Sequence, residues 1–554
     1  MAKQAANHSS SEGLIANELA STTTAVYPRV GQRVFPSILR FVIPVRVLLS
    51  PSSPVNAFSR FSALTRSCLV LAIPPLTAFP ATEMVDSIAA LQSRVHRAEP
   101  GDTIILRNGV YTTSSALTVR RTGTAEAPIT LAAETVGGVE IGGTHGFNLA
   151  APAAHIVISG FIFTHAAGRS TIAVDTSHVR FTRNTFRCTG EGAYLSVIGD
   201  DAQIDYNDFG EKKTGGSMLA IGGTGSQVAR RLWAHHNYFH DLNSLGSTGA
   251  EMIRYGLSAM SQSNGAGLVE HNLFARCRGE AEMISSRASG ITYRYNTFID
   301  SPSAQFTLRH GNDCSLYGNI LRNTEGLRIY GDRHHVYSNY FEQNYIGINL
   351  GNGSAEVTTG PSLALHDRPD DCVIVFNTLT GNRTHYQMSR RAPAGLGATR
   401  ITFSNNLLEG GNTAAKIEGP YVDGIWQGNI LWNVADLLDF PAGGFRIADP
   451  LLITDADEIK RIQAGSAASQ TAIGSFANVT VDLDGQPRPE GMSVGANEIR
   501  AEPAAARLRS TDQVGPSAAV FQAAALAEAT PSDSAPPPDG SLPTPELTSV
   551  PPIP

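Results

Sequence analysis

The 554-residue sequence is poor in charge and in aromatic rings: 16% of its residues are Asp, Glu, Lys or Arg, and 7% are Phe, Trp or Tyr. Its five cysteines, Cys68, Cys188, Cys277, Cys314 and Cys372, are far apart and form no C-x-x-C pair. That spacing argues against both a disulfide framework and a thiolate metal cluster. No apolar run is long enough to cross a bilayer as a helix, so no transmembrane span is expected. The formal net charge of −7 argues against a general nucleic-acid partner, while leaving room for a local basic cleft. Glycine is plentiful at 53 residues, and with the many Asn, Ser and Thr it favours short strands and turns over helices.

Three zones divide the chain. Residues 1–82 have no sustained period but contain Arg66, the apolar run Cys68 to Ile73 and the stretch Pro74 to Ala81. Such a basic start, short apolar core and small-residue end reads as an export leader, placing the protein outside the cell or in a periplasm, or else as an unstructured extension. Residues 501–554 are rich in Ala and Pro and are expected to be a disordered tail. Residues 83–500 form the ordered domain, in which an alternating strand ends on Asn, then one residue, then Phe, Leu or Ile. The pattern occurs at Asn184, Asn207, Asn237, Asn272, Asn296, Asn319, Asn339, Asn377, Asn406 and Asn429.

Recurrence every 20 to 24 residues, with occasional longer gaps, predicts an all-β, right-handed parallel β-helix whose coils stack and whose insertions bulge out as loops. The repeated Asn is assigned to a turn, bonding neighbouring backbone and the same Asn one coil away. In HIVISGFIF, Gly160 is expected in the place later taken by Asn. VDSIAALQSRVHRAEPGDTIIL is expected to cap the first coil, with Ile88, Leu91 and Val95 on one helical face and Pro100-Gly101 turning into the first strand.

Stacking also predicts a column of cations. Arg287, Arg309 and Arg328 precede their turn asparagines by 9, 10 and 11 residues, and coils lie about 4.8 Å apart. Alternation in FTLRHG turns Phe306 and Leu308 inward and Arg309 outward. With His310, Tyr330 and His334 alongside, this ladder suits a carboxylated or sulfated polysaccharide, because guanidinium forks match carboxylates. It equally suits arginines paired with acids on adjacent coils. Glu280 and Glu282, in GEAEMISSR, supply either oxygen ligands to calcium or partners for Arg287 and Arg309.

The set AEPGDTIILRNGVY, APITLAAE, NDFGEKKTGG, EMIRYG, CRGEAEMISSR, FTLRHGN and GLRIYGDRHHVYSNYF resembles polysaccharide lyase family six, the alginate lyases and chondroitinase B group, over residues 85 to 435. The resemblance implies β-elimination at a uronate, with calcium offsetting the sugar carboxylate, a lysine base and an arginine acid. It places Arg309 as the acid, Glu280 and Glu282 as calcium ligands, and Lys212, Lys213, Arg254, Arg328 and His334 on substrate-binding motifs. His310 follows Arg309 and orients it.

Two positions depart from the family pattern. Arg287 stands where the base lysine is expected, and a guanidinium does not deprotonate in proteins. The asparagine ligand expected before EMIRYG is missing, Thr248 being nearest. His310 or Tyr255 is then the expected proton acceptor, with Arg287 pairing with Glu280 or Glu282 or holding the uronate. Alginate is expected over dermatan sulfate as substrate. A polysaccharide-binding β-helix without catalysis is the alternative, and a pectin-type hydrolase ranks last because no cluster of Asp residues accompanies the ladder. Oligomeric state is left open.

Overall fold

A computed structural model describes residues 80–166, 169–244, 249–499 and 508–519. Among them the chain winds into three long parallel sheets of 14, 13 and 14 strands, each coil giving one short strand to each sheet. This is the parallel β-helix that the Asn periodicity predicts. Of the leader expected over residues 1–82, residues 1–79 lie outside the described residues, and no helix among the described residues is long and apolar enough to cross a membrane.

The core follows from the repeat. Two places after Asn184, Asn207, Asn237, Asn272 and Asn296 a phenylalanine points inward, and with Phe163 of the coil before them Phe186, Phe209, Phe239, Phe274 and Phe298 stack with centroids 4.6 to 4.9 Å apart. Beside this stack runs the Asn ladder. Asn272 Nδ2 donates to Asn296 Oδ1 at 3.0 Å, and Asn296 Nδ2 donates to Asn319 Oδ1 at 3.1 Å and to the Val269 carbonyl at 2.8 Å. Each Asn follows a residue in the left-handed region, from Arg183, Tyr206, His236, His271 and Tyr295 to Gly318 and Gly428, with φ between +51° and +66°. Gly160 aligns with Arg183, the residue before Asn184, and Phe161 takes the Asn position. This coil is not the first, since the strands Thr103–Leu106 and Ile129–Ala133 precede it in the same sheet, and it needs its glycine for backbone conformation and not in place of the amide.

The cap forms as its pattern requires, with one addition. Helix α1 (Ile88–Val95) starts at Ser87, whose hydroxyl accepts from Ala90 N at 3.2 Å, and buries Leu91 and Val95. Asp102, after the Gly101 turn, accepts from Arg94 Nη2 at 2.7 Å and from Glu99 N at 2.8 Å, locking helix to strand. A strand at Thr82–Val85 precedes the helix and pairs with Thr103–Leu106.

The far end departs from expectation. The last solenoid strand is Phe445–Ile447, after which the chain doubles back and buries Ile459, Leu483 and Ala496 against Ile320 and Tyr340. Part of the expected tail, residues 508–519, also packs on the coils: Gly515 N donates to the His236 carbonyl at 2.9 Å, and Val514 and Ala518 are buried. The outward rings at the left-handed corners give this segment its seat, with Arg509 Nη2 2.7 Å from His271 Nδ1. Composition alone hid this, because only a few apolar residues are needed on a surface already built.

Burial sets a pH limit on the fold. It lowers His235 to about 3 and His310, His334 and His385 to about 4, from an ordinary 6.5. Below pH 6.5 the unfolded chain takes up protons that the folded chain refuses, so stability present above that pH is lost as pH falls towards 4. The melting temperature is expected to drop steadily between pH 6.5 and 4.5; a flat profile would show that these rings are protonated without unfolding.

Candidate active site

The sequence-predicted residues gather on the outer face of the 13-stranded sheet. Its relevant strands are β1 (Ile253–Tyr255), β2 (Glu282–Arg287), β3 (Gln305–His310), β4 (Leu327–Ile329) and β5 (Ile346–Leu350). Phe306 and Leu308 enter the core, as alternation requires, and Arg309 turns out.

The register is not the simple column that the spacing predicts. Arg328 pairs with Thr307, and Thr307 with Ser285, which in turn pairs with Arg254. Arg254 and Arg328 thus share one column, while Arg287 lies two residues further along and faces His310. Two bulges cause the shift. Met283 is an extra residue on β2 and Arg309 an extra residue on β3, so the register slips and recovers within one strand pair. A bulge re-aims the side chains beside it, and here it sets Arg309 and His310 together outside the core.

The arginines nevertheless converge through carboxylates. Glu282, almost wholly buried, accepts from Arg309 Nη1 at 2.8 Å and from Arg328 Nη2 through the same oxygen, Oε1. Burial works to raise the Glu282 pKa, but the Arg328 and Arg309 charges outweigh it and hold the carboxyl below the ordinary range. Arg287 does not pair with Glu280 or Glu282. Its Nη2 donates to Glu251 Oε1 at 3.2 Å and its Nε to Ser285 Oγ at 2.9 Å. Glu251 is fully buried, accepts from Ser217 Oγ at 2.9 Å, and is pushed up by burial against the pull of Arg287.

Sequence reading passed over Glu251, although a signal was there. The tripeptide Glu-Met-Ile occurs at residues 251–253 and again at 282–284, and Ile253 pairs with Ile284, so the two glutamates stack as equivalents on successive coils. His366 and Arg391 were also missed. Both come from insertions between coils, which carry no repeat to mark them.

Other expected residues fall into two groups. Tyr330 sits beside the ladder with the Arg328 guanidinium 5.6 Å from its ring centre, and Arg254 and Lys213 reach solvent at the same face or its margin. His334 and Lys212 point elsewhere. His334 is sealed in the interior, its Nδ1 accepting from Cys314 N at 3.1 Å and its Nε2 donating to the Tyr330 carbonyl at 2.9 Å. Lys212 is buried 4.4 Å from the Tyr194 ring, donates to the Gly192 carbonyl at 2.8 Å, and is lowered by burial to about 8. Tyr255 is enclosed in the core, where burial raises its pKa and distances it from any ligand.

His310 differs from these. Burial, then Arg309 and Arg287, lower it to about 4, so the ring is neutral at ordinary pH, and its Nδ1 has no partner in the protein.

The acids do not assemble a calcium site. Calcium takes six to eight oxygens, yet Glu251 and Glu282 are engaged by guanidiniums, and Glu280 Oε2 accepts from Gly249 N at 2.7 Å. Among the described residues no three His, Cys, Asp or Glu side chains converge as a metal site, and Thr248 lies outside them. Among the described residues the side chains present therefore do not fit the ion.

Comparison with known proteins bears on the family and the fold. The family model described as Chondroitinase B matches residues 85–395. Among solved structures, the alginate lyase AlyGC of polysaccharide lyase family 6 is similar at 23% identity with a TM-score of 0.63, over 76% of this chain and 60% of that one. The chain thus spans less than two thirds of AlyGC. A mannuronic acid specific family 6 lyase from human gut microbiota is 22% identical, over 66% of this chain and 91% of its own, with a TM-score of 0.58. The family 6 lyase Pedsa3628 of Pseudopedobacter saltans is 18% identical, over 68% and 98%, with a TM-score of 0.55. These likenesses establish the fold. No curated protein matches the chain.

Proposed function

This chain belongs to the chondroitinase B family, and from that premise we propose that it binds a uronate-containing acidic polysaccharide on the outer face of β1–β4 and cuts it by β-elimination. The observation that carries the proposal is the charge balance of that face. Arg254, Arg287, Arg309 and Arg328 gather there, with Arg309 and Arg328 sharing the single carboxylate of Glu282 while Arg287 takes Glu251. Neighbours named for alginate and for mannuronic acid favour alginate over dermatan sulfate as the polymer.

A proton beside a carboxylate becomes acidic only when that negative charge is offset. Arg287, held by Glu251 and Ser285, is the group that does so, and a guanidinium is no base. His310 is neutral and its Nδ1 has no partner in the protein, although this nitrogen is enclosed in the structure; it is the group assigned to take the C5 proton once the substrate has entered. The electron pair forms the C4=C5 double bond, the C4–O bond breaks, and Arg309 donates hydrogen bonds to the leaving oxygen, which takes up a proton from water while His310 afterwards releases its own to solvent. No step runs through a metal. The test is ultraviolet absorbance of the unsaturated product on alginate and on dermatan sulfate, with and without chelator. Cleavage of alginate at the same rate in both is expected; no product from any uronate polymer would sink the proposal.

One observation favours a second reading, a polysaccharide-binding β-helix without catalysis: the lysine position of the family is filled by Arg287. Arg287→Lys separates the two. If Arg287 clamps the carboxylate, the shorter point charge loses the paired bonds to Glu251 and Ser285 and the rate falls about tenfold. A rise in rate would show instead that the native residue disables the centre.

A further inference from the structure

Between β5 and the strand Val373–Val375 the chain makes a long excursion, residues 351–372, absent from most other coils. Its outer residues, Thr358 to Pro361 and Leu365 among them, face solvent, but the segment stays against the coils. It runs back along the axis past β4 and β3, and its 3-10 turn at Gly360–Ala364 packs against the turn at Ser258–Met260, just after β1. The excursion therefore walls one side of the arginine face along its whole catalytic stretch.

His366 is the side chain it delivers there. Its ring stacks on Tyr330, with centroids 4.5 Å apart and planes at 18°, and on His310 at 5.7 Å and 9°. Arg391 Nη2 lies 3.3 Å from His366 Nδ1, while Arg391 Nη1 bonds the Asn352 carbonyl at 3.3 Å, tying the two ends of the wall together. A guanidinium only donates, so Nδ1 is the acceptor. In the neutral ring the hydrogen then sits on Nε2. That nitrogen has no partner in the protein and is shut off from solvent. An N–H so placed is costly to leave unmatched, and the neighbouring groups Arg309 and Arg328 would draw an anion to it.

We propose that His366 is a substrate-binding residue, its Nε2–H donating to an oxygen of the uronate polymer beside Arg309 and Arg328, with Arg391 fixing the tautomer. Burial, followed by the charges of Arg309, His310 and Arg391, lowers the ring to about 3 and keeps it neutral throughout the working range. The assignment rests on the reading of this face as a uronan groove. It adds a contact that the coil repeat does not supply.

The experiment measures binding and cleavage of mannuronate oligosaccharides by the full chain. His366→Phe keeps the stacked ring and removes the donor, and is expected to raise both Kd and KM about tenfold with kcat unchanged. His366→Gln returns a donor of similar reach and is expected to restore affinity to within about threefold. A Phe variant that binds like the wild type overturns the assignment alone; a wild type that neither binds nor cuts any uronan overturns the functional reading and the assignment with it. Should the Phe variant not fold, the wild type labelled with 15N-histidine gives the answer. The His366 Nε2–H resonance moves on addition of the oligosaccharide, and an unmoved resonance refutes the contact.

Discussion

Arg309→Ala is expected to lower kcat/KM on alginate by about two to three orders of magnitude, the effect of removing one preorganised donor to a developing anion. The variant should fold, because Glu282 keeps Arg328 as its partner and is not left as a lone buried charge. Arg309→Lys is expected to recover little, since an ammonium cannot serve Glu282 and the leaving oxygen at once as a guanidinium fork does. Initial rates of product absorbance, with melting curves as a control for folding, decide the matter. Activity within about threefold of the wild type would mean that Arg309 serves only as counter-ion to Glu282.

The second large effect lies in the core. Asn296→Leu is expected to cost about 3–5 kcal/mol of unfolding free energy, read from urea denaturation. The side chain fits by size, so the loss is one of hydrogen bonding. Asn272 N loses Asn296 Oδ1 at 3.1 Å, and the Val269 carbonyl loses Asn296 Nδ2 at 2.8 Å, in a place that water does not reach. Each buried group left without a partner costs about 1–3 kcal/mol. In a solenoid the fault also weakens the coupling between the coils on either side. A loss below about 1 kcal/mol would show that the ladder adds regularity and little strength.

What the sequence made legible follows from what repeats. The Asn spacing revealed the coils, and the alternation in FTLRHG correctly turned Arg309 outward. Counting back from the asparagines brought Arg287, Arg309 and Arg328 to one face but placed Arg328 two residues out of column. The count assumes equal arcs, and the bulge at Arg309 makes one arc longer by a residue. His334 was misread for a related reason: it neighbours the ladder in sequence, but its ring turns inward to satisfy Cys314 N and the Tyr330 carbonyl. Glu251 was visible as a repeated tripeptide. His366 was not visible at all, because its position depends on an irregular excursion whose path no periodicity encodes.

The paired bulges restrict how this centre can change by descent. Met283 and Arg309 each stand as the extra residue against the facing strand, so deleting either would remove its bulge and let the flanking residues pair in plain alternation. Loss of Arg309 would leave His310 alone in the outward place that the two now share, and would remove the residue on which cleavage depends. The centre is therefore left to vary by substitution and by lengthening the loops between coils.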